Sequence, residues 1–361
     1  MRDMPLLDLF VTKWIEARRL NVQPDRCVRT RNRFSTCHKC AQACPVSAIS
    51  LENGLKVNEE VCHECMKCTV SCPTEALYDN QYMQSFKEMQ KREVIAFSCD
   101  KDKSEESHIK LGCLGQLDKA LLIQSMVNGK KISIQFNEER CLSCYKYDGL
   151  LKTNLEKTIN ELNLMLKDPI DIQYNEKSSS KMERSFSRRE LFSFFSKKVT
   201  RNVVSPLLPE DEVGKNLRIP INGGSMRSAY HHLLEKYQNK FHENQQSQHL
   251  QTLQLAFNEN CDGCKVCAHV CPTGALKFTE QEALVAMFST QACNGCRACI
   301  DICRKNGLEI DDSPINLVSF LDDSPKEIFV KEEKNCSKCG EKHYNSTAYC
   351  DECAVLQRRF S

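Results

Sequence analysis

The residues most able to do chemistry in this sequence are closely spaced cysteines. The chain of 361 residues has 24 cysteines, and most of them fall in Cys-x-x-Cys groups. The stretch CDGCKVCAHVCPTGAL, residues 261–276, places four cysteines at gaps of two, two and three residues, with a proline directly after the last one. Bacterial 4Fe-4S sites use this run, in which three thiolates surround one cluster and the fourth binds its neighbour. The stretch therefore predicts a pair of iron–sulfur clusters.

The chain repeats this pattern in four runs, arranged as two pairs. Because the fourth cysteine of each run binds the neighbouring cluster, the C-terminal pair predicts one cluster on Cys261, Cys264, Cys267 and Cys303 and another on Cys293, Cys296, Cys299 and Cys271. The N-terminal pair repeats the scheme with Cys27, Cys37, Cys40, Cys44, Cys62, Cys65, Cys68 and Cys72. The sequence thus predicts four 4Fe-4S clusters. Four zinc sites are the alternative, although zinc requires neither the trailing proline nor this spacing.

Both pairs resemble the bacterial-type ferredoxins that carry two 4Fe-4S clusters. The resemblance covers residues 27–80 and 255–312. It implies a small pseudo-symmetric fold of hairpins and short helices, repeated in a polyferredoxin-like chain, with one-electron transfer as the activity. Within the first segment, Asn53-Gly54 lies between alternating apolar residues and predicts a hairpin turn.

The sequence departs from the ferredoxin pattern at two positions. Phe34 stands where the first cysteine of the first run is expected. We therefore expect Cys27 to supply the missing thiolate, and a cluster with three protein ligands is the alternative. Arg304 and Lys305 follow Cys303 where a proline is expected. These cations place positive charge near the cluster of Cys303, which favours its reduced form.

The region between the two pairs predicts a small α/β domain, residues 92–176. Apolar strands at residues 93–100, 130–136 and 169–174 alternate with helical segments, which indicates a parallel sheet. Four cysteines are expected at its carboxyl edge, where ligands usually bind: Cys99, Cys113, Cys141 and Cys144. They could hold zinc or a fifth iron–sulfur cluster, or supply a redox dithiol. In the alternative, Cys99 and Cys113 are buried apolar residues and only Cys141 and Cys144 are reactive.

The tail, residues 330–361, has two further cysteine pairs, Cys336/Cys339 and Cys350/Cys353. This arrangement predicts a zinc-ribbon-like knuckle, with a rubredoxin-like iron as the alternative. The remaining segments are an N-terminal helix in residues 1–26 and a basic linker with helices in residues 177–252. A polar helix is expected from residue 225 to residue 255, with His231 exposed to solvent.

Together these predictions give an α+β chain in which two ferredoxin-like dicluster modules, residues 27–85 and 253–312, flank the small α/β domain. The predicted function is electron transfer: a polyferredoxin that relays low-potential electrons between redox protein partners, as a carrier or as a subunit of an oxidoreductase. A catalytic or redox-sensing protein using Cys99, Cys113, Cys141 and Cys144 is the alternative. No dinucleotide or Walker motif indicates a nucleotide site.

Composition and charge indicate the compartment of the protein and the classes of partner it can have. The many Cys-x-x-Cys groups suit metal ligation in a reducing compartment better than disulfides, so we expect a cytoplasmic protein. The formal net charge of +2 indicates no nucleic-acid partner. No stretch has the roughly 20 apolar residues of a transmembrane helix. The basic segment between residues 176 and 202 leaves a peripheral membrane contact open.

Overall fold

The computed structural model describes residues 19–90, 95–102, 109–127, 132–144, 149–169, 172–174, 226–280, 283–322, 324–344 and 347–359. Most of the predicted N-terminal helix and the basic segment up to residue 225 lie outside these ranges. The end of the predicted helix forms a strand and a 3-10 turn instead, at Leu20–Val22 and Pro24–Arg26. Among the described residues, no helix combines the length and the apolar character needed to cross a membrane.

The N-terminal module, residues 19–80, consists of short elements around cysteine loops. They are β1 (Leu20–Val22), α1 (Val28–Arg31), α2 (Lys39–Gln42), β2 (Ile49–Ser50), β3 (Lys56–Val57), α3 (Lys67–Ser71) and β4 (Leu77–Asp79). The terminal strands β1 and β4 pair in antiparallel fashion, and β2 pairs with β3. The hairpin predicted at Asn53-Gly54 is confirmed, and Gly54 has the positive φ of 88° that such a turn requires.

The middle domain, residues 82–174, is built on a parallel sheet. Its elements are α4 (Tyr82–Gln90), β5 (Ile95–Cys99), β6 (Ile109–Leu111), α5 (Lys119–Val127), β7 (Ile132–Ile134), α6 (Glu138–Leu142), α7 (Leu151–Met165) and β8 (Ile172–Tyr174). The strand order is β6-β5-β7-β8, with every pair parallel. The parallel arrangement agrees with the sequence prediction, whereas β6 and α6 were not predicted because each is only a few residues long.

A helix from a distant part of the chain completes this domain. The helix α8 (Met226–Lys236) buries Tyr230, Leu233 and Leu234 in the same core cluster as Phe97 and Leu121 of the middle domain. The predicted polar helix to residue 255 is therefore wrong beyond Lys236, where a 3-10 turn, the strand β9 (Asn244–Gln245) and further turns follow. The prediction of a solvated His231 is also wrong. This side chain is buried, and burial lowers its pKa to about 3.

The C-terminal module, residues 254–311, repeats the architecture of the N-terminal one. Here β10 (Gln254–Phe257), α9 (Val266–His269), β11 (Leu276–Glu280), β12 (Ala283–Phe288), α10 (Ala298–Asp301) and β13 (Leu308–Asp311) follow in order. The outer strands β10 and β13 pair as β1 and β4 do. Helix α10, which carries Cys299, contacts the N-terminal module through Ala298 and Asp301.

Additional elements extend the C-terminal module. They are β14 (Ile315–Asn316), α11 (Leu317–Leu321) and β15 (Lys326–Glu332). Strand β15 joins the hairpin of β11 and β12 as a third strand, while Leu317 and Phe320 of α11 pack into the core of the middle domain. The tail then forms a small knuckle from β16 (Lys334–Asn335), β17 (Lys342–His343) and α12 (Asp351–Arg359).

Candidate metal centres

The cysteine loops share a repeated backbone conformation. The residue three positions after the fourth cysteine has a positive φ in all four runs, at Ser47, Glu75, Gly274 and Asn306. In the three complete runs, the residue after the second cysteine is also left-handed: Met66, Lys265 and Arg297. Non-glycine residues seldom adopt this conformation, so its recurrence at equivalent positions reflects a common demand on the chain. The demand is that the backbone curl around a centre on one side of each loop.

The first set of cysteines lies around a cavity in the N-terminal module. This cavity is lined by Cys27, Cys37, Cys40 and Cys72, which we call the Cys27 set. Burial raises the pKa of Cys40 to about 12, and the thiolates of Cys72, Cys27 and Cys37 add to this shift. Two buried thiols, Cys27 and Cys40, and two half-buried ones, Cys37 and Cys72, suit a centre that brings its own positive charge, as iron does.

The truncated first run differs from the others in a way that explains its missing cysteine. His38, which follows Cys37, has a φ of −140° rather than a left-handed value. Phe34 is not among the residues that line the cavity and is 42% exposed, whereas Cys27 lines it and is buried at 8%. Cys27 enters from the turn that joins the 3-10 helix at Pro24–Arg26 to α1. Cys27 therefore lines the same cavity as Cys37, Cys40 and Cys72, and its role as the fourth ligand stays a prediction.

The second set surrounds a neighbouring cavity. The cysteines that line it are Cys44, Cys62, Cys65 and Cys68, the Cys44 set. The pKa of Cys68 is raised by burial first and then by the thiolates of Cys65 and Cys62. The backbone N–H of Ala48 donates to Cys44 Sγ at 3.2 Å. Such donors favour the charged thiolate and tune a bound cluster.

The C-terminal module brings its cysteines together in the same crosswise way. Burial raises the pKa of Cys267 to about 12, followed by the effects of the thiolates of Cys261, Cys264 and Cys303, its partners in the Cys261 set. The pKa of Cys299 is raised by burial and then by Cys293, Cys296 and Cys271, its partners in the Cys293 set. The N–H of Gly307 donates to Cys303 Sγ at 3.2 Å, as Ala48 does to Cys44 in the other module.

Each module also has a contact between a threonine and the fourth cysteine of a complete run. Thr74 Oγ1 lies 3.6 Å from Cys72 Sγ, and Thr273 Oγ1 lies 3.6 Å from Cys271 Sγ. In both cases the threonine follows the proline that comes after the cysteine. A hydroxyl at this distance can satisfy a thiolate lone pair in an interior that excludes water.

The middle quartet, Cys99, Cys113, Cys141 and Cys144, gathers at the carboxyl end of the parallel sheet. Cys99 ends β5, Cys113 follows β6, and the other two flank the end of α6. Burial raises the pKa of Cys141 to about 12, and the thiolates of Cys99, Cys113 and Cys144 contribute next. The four thiols therefore lie close enough to influence one another. Cys113 is buried and Cys141 is half-buried.

The cysteines of the tail converge more tightly than the other sets. The Sγ atoms of Cys336, Cys339, Cys350 and Cys353 all lie within 4.8 Å of one another, and that of Cys339 is 3.7 Å from that of Cys350. Four sulfurs at about 2.3 Å from one zinc ion are about 3.8 Å apart, so this spacing fits a single ion. Burial opposes ionisation of Cys336, but the N–H groups of Cys339, Cys350 and Lys338 outweigh it and lower its pKa to about 6.

One residue beside these centres was missed by sequence reasoning. Arg227, at the start of α8, donates from its guanidinium to the carbonyl oxygens of Gln251 at 3.0 Å, Gln291 at 2.8 Å and Cys293. Its backbone N–H donates to Glu75 Oε1 at 2.9 Å. Arg227 thus connects both modules and places a positive charge at a predicted ligand. No motif marks it, because its partners are backbone carbonyls far away in sequence.

Replacement of Arg227 should therefore lower a reduction potential. A reduced cluster carries one more negative charge, so a nearby cation stabilises it. We expect Arg227→Ala to lower the potential of the cluster on the Cys293 set by about 59 mV, one tenfold step in a one-electron equilibrium. Arg227→Lys keeps the charge and should stay close to the wild-type value. EPR-monitored redox titration measures both, and equal potentials in all three proteins would contradict this role.

The repeated loops, the paired cavities and the crosswise grouping of thiols define a ferredoxin-type architecture. Comparison with protein-family models agrees: residues 256–304 match the 4Fe-4S dicluster domain, and residues 55–78 match the 4Fe-4S binding domain. The resemblance to ferredoxins is confirmed, and the chain contains ferredoxin-type 4Fe-4S domains. A search of curated proteins finds no match to the chain.

Proposed function

We propose that this protein is a polyferredoxin, an iron–sulfur protein that relays low-potential electrons between redox partners. The observation that carries this proposal is the repeated pairing of cysteine sets, two in each ferredoxin-type module, with each set drawing its fourth thiol from the neighbouring run. On this basis the chain binds four 4Fe-4S clusters, on the Cys27, Cys44, Cys261 and Cys293 sets.

A bound 4Fe-4S cluster supplies one-electron chemistry at potentials that its surroundings set between roughly −700 and +450 mV. The chain's own residues position the thiols, donate hydrogen bonds to sulfur and exclude water. The left-handed loops aim three thiols at one centre, and the N–H groups of Ala48 and Gly307 donate to sulfur. Apolar neighbours such as Leu77 and Leu308 exclude water from the cavities. Because all of these thiols except that of Cys264 are buried or half-buried, electron transfer needs little rearrangement.

Two further metal centres belong to this proposal. The convergence of Sγ atoms in the tail supports a structural zinc ion on Cys336, Cys339, Cys350 and Cys353. The position of the middle quartet at the carboxyl end of the parallel sheet supports a metal centre there, as zinc or as a fifth iron–sulfur cluster, although among the described residues only the tail cysteines have their Sγ atoms within 4.8 Å of one another. Donor and acceptor are redox proteins, and a reducing cytoplasm suits so many free thiols.

Anaerobic purification followed by counting of iron, sulfide and zinc per chain tests this function. Four cubanes require about sixteen irons and an equal amount of sulfide. The tail should add one zinc ion, and the middle quartet adds either iron above sixteen or a second zinc. A reductively bleachable visible absorption should accompany the iron. A folded protein with zinc in place of iron at the four sets would contradict the electron-transfer function.

A further inference from the structure

The two ferredoxin-type modules contact each other close to their predicted ligands. The N–H and the hydroxyl of Thr36 both donate to Asp301 Oδ2, at 2.8 and 3.1 Å. Asn32 Nδ2 donates to the carbonyl oxygen of Ala298 at 3.4 Å. Thr36 and Asp301 are 265 positions apart in the chain. These contacts therefore belong to the tertiary structure alone.

An aromatic side chain completes this contact. The guanidinium of Arg304, from the C-terminal module, lies 5.2 Å from the centroid of the Phe34 ring. Arg33 lies over the same ring at 4.9 Å. A cation over an aromatic face is attracted by the ring quadrupole. We call Asn32, Phe34, Thr36, Ala298, Asp301 and Arg304 the junction.

The junction joins one particular cluster site of each module. Thr36 directly precedes Cys37, a member of the Cys27 set, and Ala298 directly precedes Cys299, a member of the Cys293 set. The Cys27 and Cys293 sets are thus neighbours across the module boundary.

The Cys44 set lies at the opposite end of the N-terminal module, against the middle domain. Cys65 and Cys113 belong to one cluster of contacting buried residues. Two glycines flank Cys113 and allow this approach. A Cβ at Gly112 would lie 2.9 Å from the carbonyl oxygen of Glu64, and one at Gly115 would lie 2.9 Å from Lys67 Cε. The middle quartet therefore lies next to the Cys44 set.

The Cys261 set lies at the other extreme, against the tail. A Cβ at Gly263 would lie 3.0 Å from Tyr344 Cβ, and Lys331 donates from its side chain to the carbonyl oxygen of Cys261. The Cys44 set, at one end, thus contacts the middle domain, and the Cys261 set, at the other end, contacts the tail.

We propose that the junction joins the two modules into one electron path, with the order Cys44 set, Cys27 set, Cys293 set and Cys261 set, which the middle quartet extends beyond the Cys44 set when it binds a fifth iron–sulfur cluster. This inference rests on the proposed electron-transfer function and adds the order of the centres. One electron enters at one end and leaves at the other, supplied and removed by separate redox proteins. Phe34 has a role in this path: the position that lacks a cysteine serves as the docking point for Arg304.

The test compares two double variants that remove the same charges. Asp301→Ala/Arg304→Ala removes the carboxylate and the cation of the junction. Asp312→Ala/Lys305→Ala removes one charge of each sign from exposed positions of the same module, and Lys305 also follows Cys303 closely. EPR spectra of the full chain, reduced completely under anaerobic conditions, report spin–spin interaction between neighbouring clusters. Recording at two microwave frequencies separates this interaction from g-anisotropy.

We expect the control variant to keep the wild-type spectrum. The junction variant should lose part of the spin–spin interaction at unchanged iron content, and its spectrum should become that of two separate modules. Hydrogen exchange at residues 32–36 checks that the junction has opened. An opened junction with an unchanged spectrum would overturn the proposed order. A wild-type protein without about sixteen irons would instead overturn the proposed function.

A milder pair of variants covers the case in which the junction variant loses iron. Arg304→Ala and Lys305→Ala each remove one positive charge beside Cys303, but only Arg304 lies over Phe34. The junction is supported if Arg304→Ala loses part of the spin–spin interaction, less than the double variant loses, while Lys305→Ala loses none. Identical spectra in these two variants would contradict it.

Discussion

Substitution of Cys27 by alanine is expected to remove one cluster from the four. Cys27 lines the same cavity as Cys37, Cys40 and Cys72, so Cys27→Ala leaves that centre with three thiolates. We expect the iron content to fall from about sixteen toward twelve per chain, while the three other clusters stay. Alanine is preferred to serine because a serine oxygen can still bind iron. Metal analysis and EPR of the reduced protein measure the loss.

Phe34 provides a matched control for this experiment. It occupies the motif position of the missing cysteine, yet its ring lies next to Arg304 and the residue does not line the cavity. Phe34→Ala should therefore retain all the iron. Phe34→Cys, introduced together with Cys27→Ala, should not restore the cluster, because the loop lacks the left-handed turn that the complete runs have after their second cysteine. Full iron in Cys27→Ala, or restoration by Phe34→Cys, would refute the assignment.

Removal of the metal from the tail is expected to unfold it locally. Its buried core consists of Cys336, Cys350 and Cys353, with Tyr349 packed against them. This amount of apolar packing cannot hold a fold of that size, whereas structural zinc contributes about 10 to 16 kcal/mol of apparent binding free energy in comparable small sites. In Cys350→Ala we expect the loss of one zinc per chain and rapid hydrogen exchange over residues 334–359. The iron content should not change.

Exposed residues of the helix α12 supply the control for the tail. Val355→Ala removes a similar volume from a side chain that is 51% exposed, so it should keep zinc and exchange protection. Iron at a stoichiometry of one, in place of zinc, would contradict the zinc assignment and favour the rubredoxin-like alternative. Persistent protection in metal-free Cys350→Ala would contradict the structural role.

Local sequence patterns were sufficient for the cysteine loops and for several elements. The spacing of thiols determines which sulfurs can face one centre, because a loop of a few residues has few ways to curl. The turn at Asn53-Gly54 was predictable because a positive φ selects such residues. The parallel sheet of the middle domain followed from the alternation of apolar strands and helices. In each case the determining residues are near neighbours in sequence.

Short or distant elements escaped prediction. Strand β6 has three residues, too few for a period to appear. The helix α8 looked polar along its length, yet Tyr230 and Leu234 bury in a core formed mostly by residues 82–166. His231 was assigned to solvent for the same reason, since burial by a distant element leaves no trace in local composition.

The sequence by itself determined the resemblance to ferredoxins, and it predicted the type of ligand and the pairing of the runs. Only the tertiary structure brought Cys27 to the cavity beside Cys72, placed Arg227 on the carbonyl of Cys293, and put Thr36 against Asp301. Ligand identity depends on spacing within a loop, which the sequence states directly. The order of the centres depends on contacts between residues hundreds of positions apart, which only the packing of the whole chain decides.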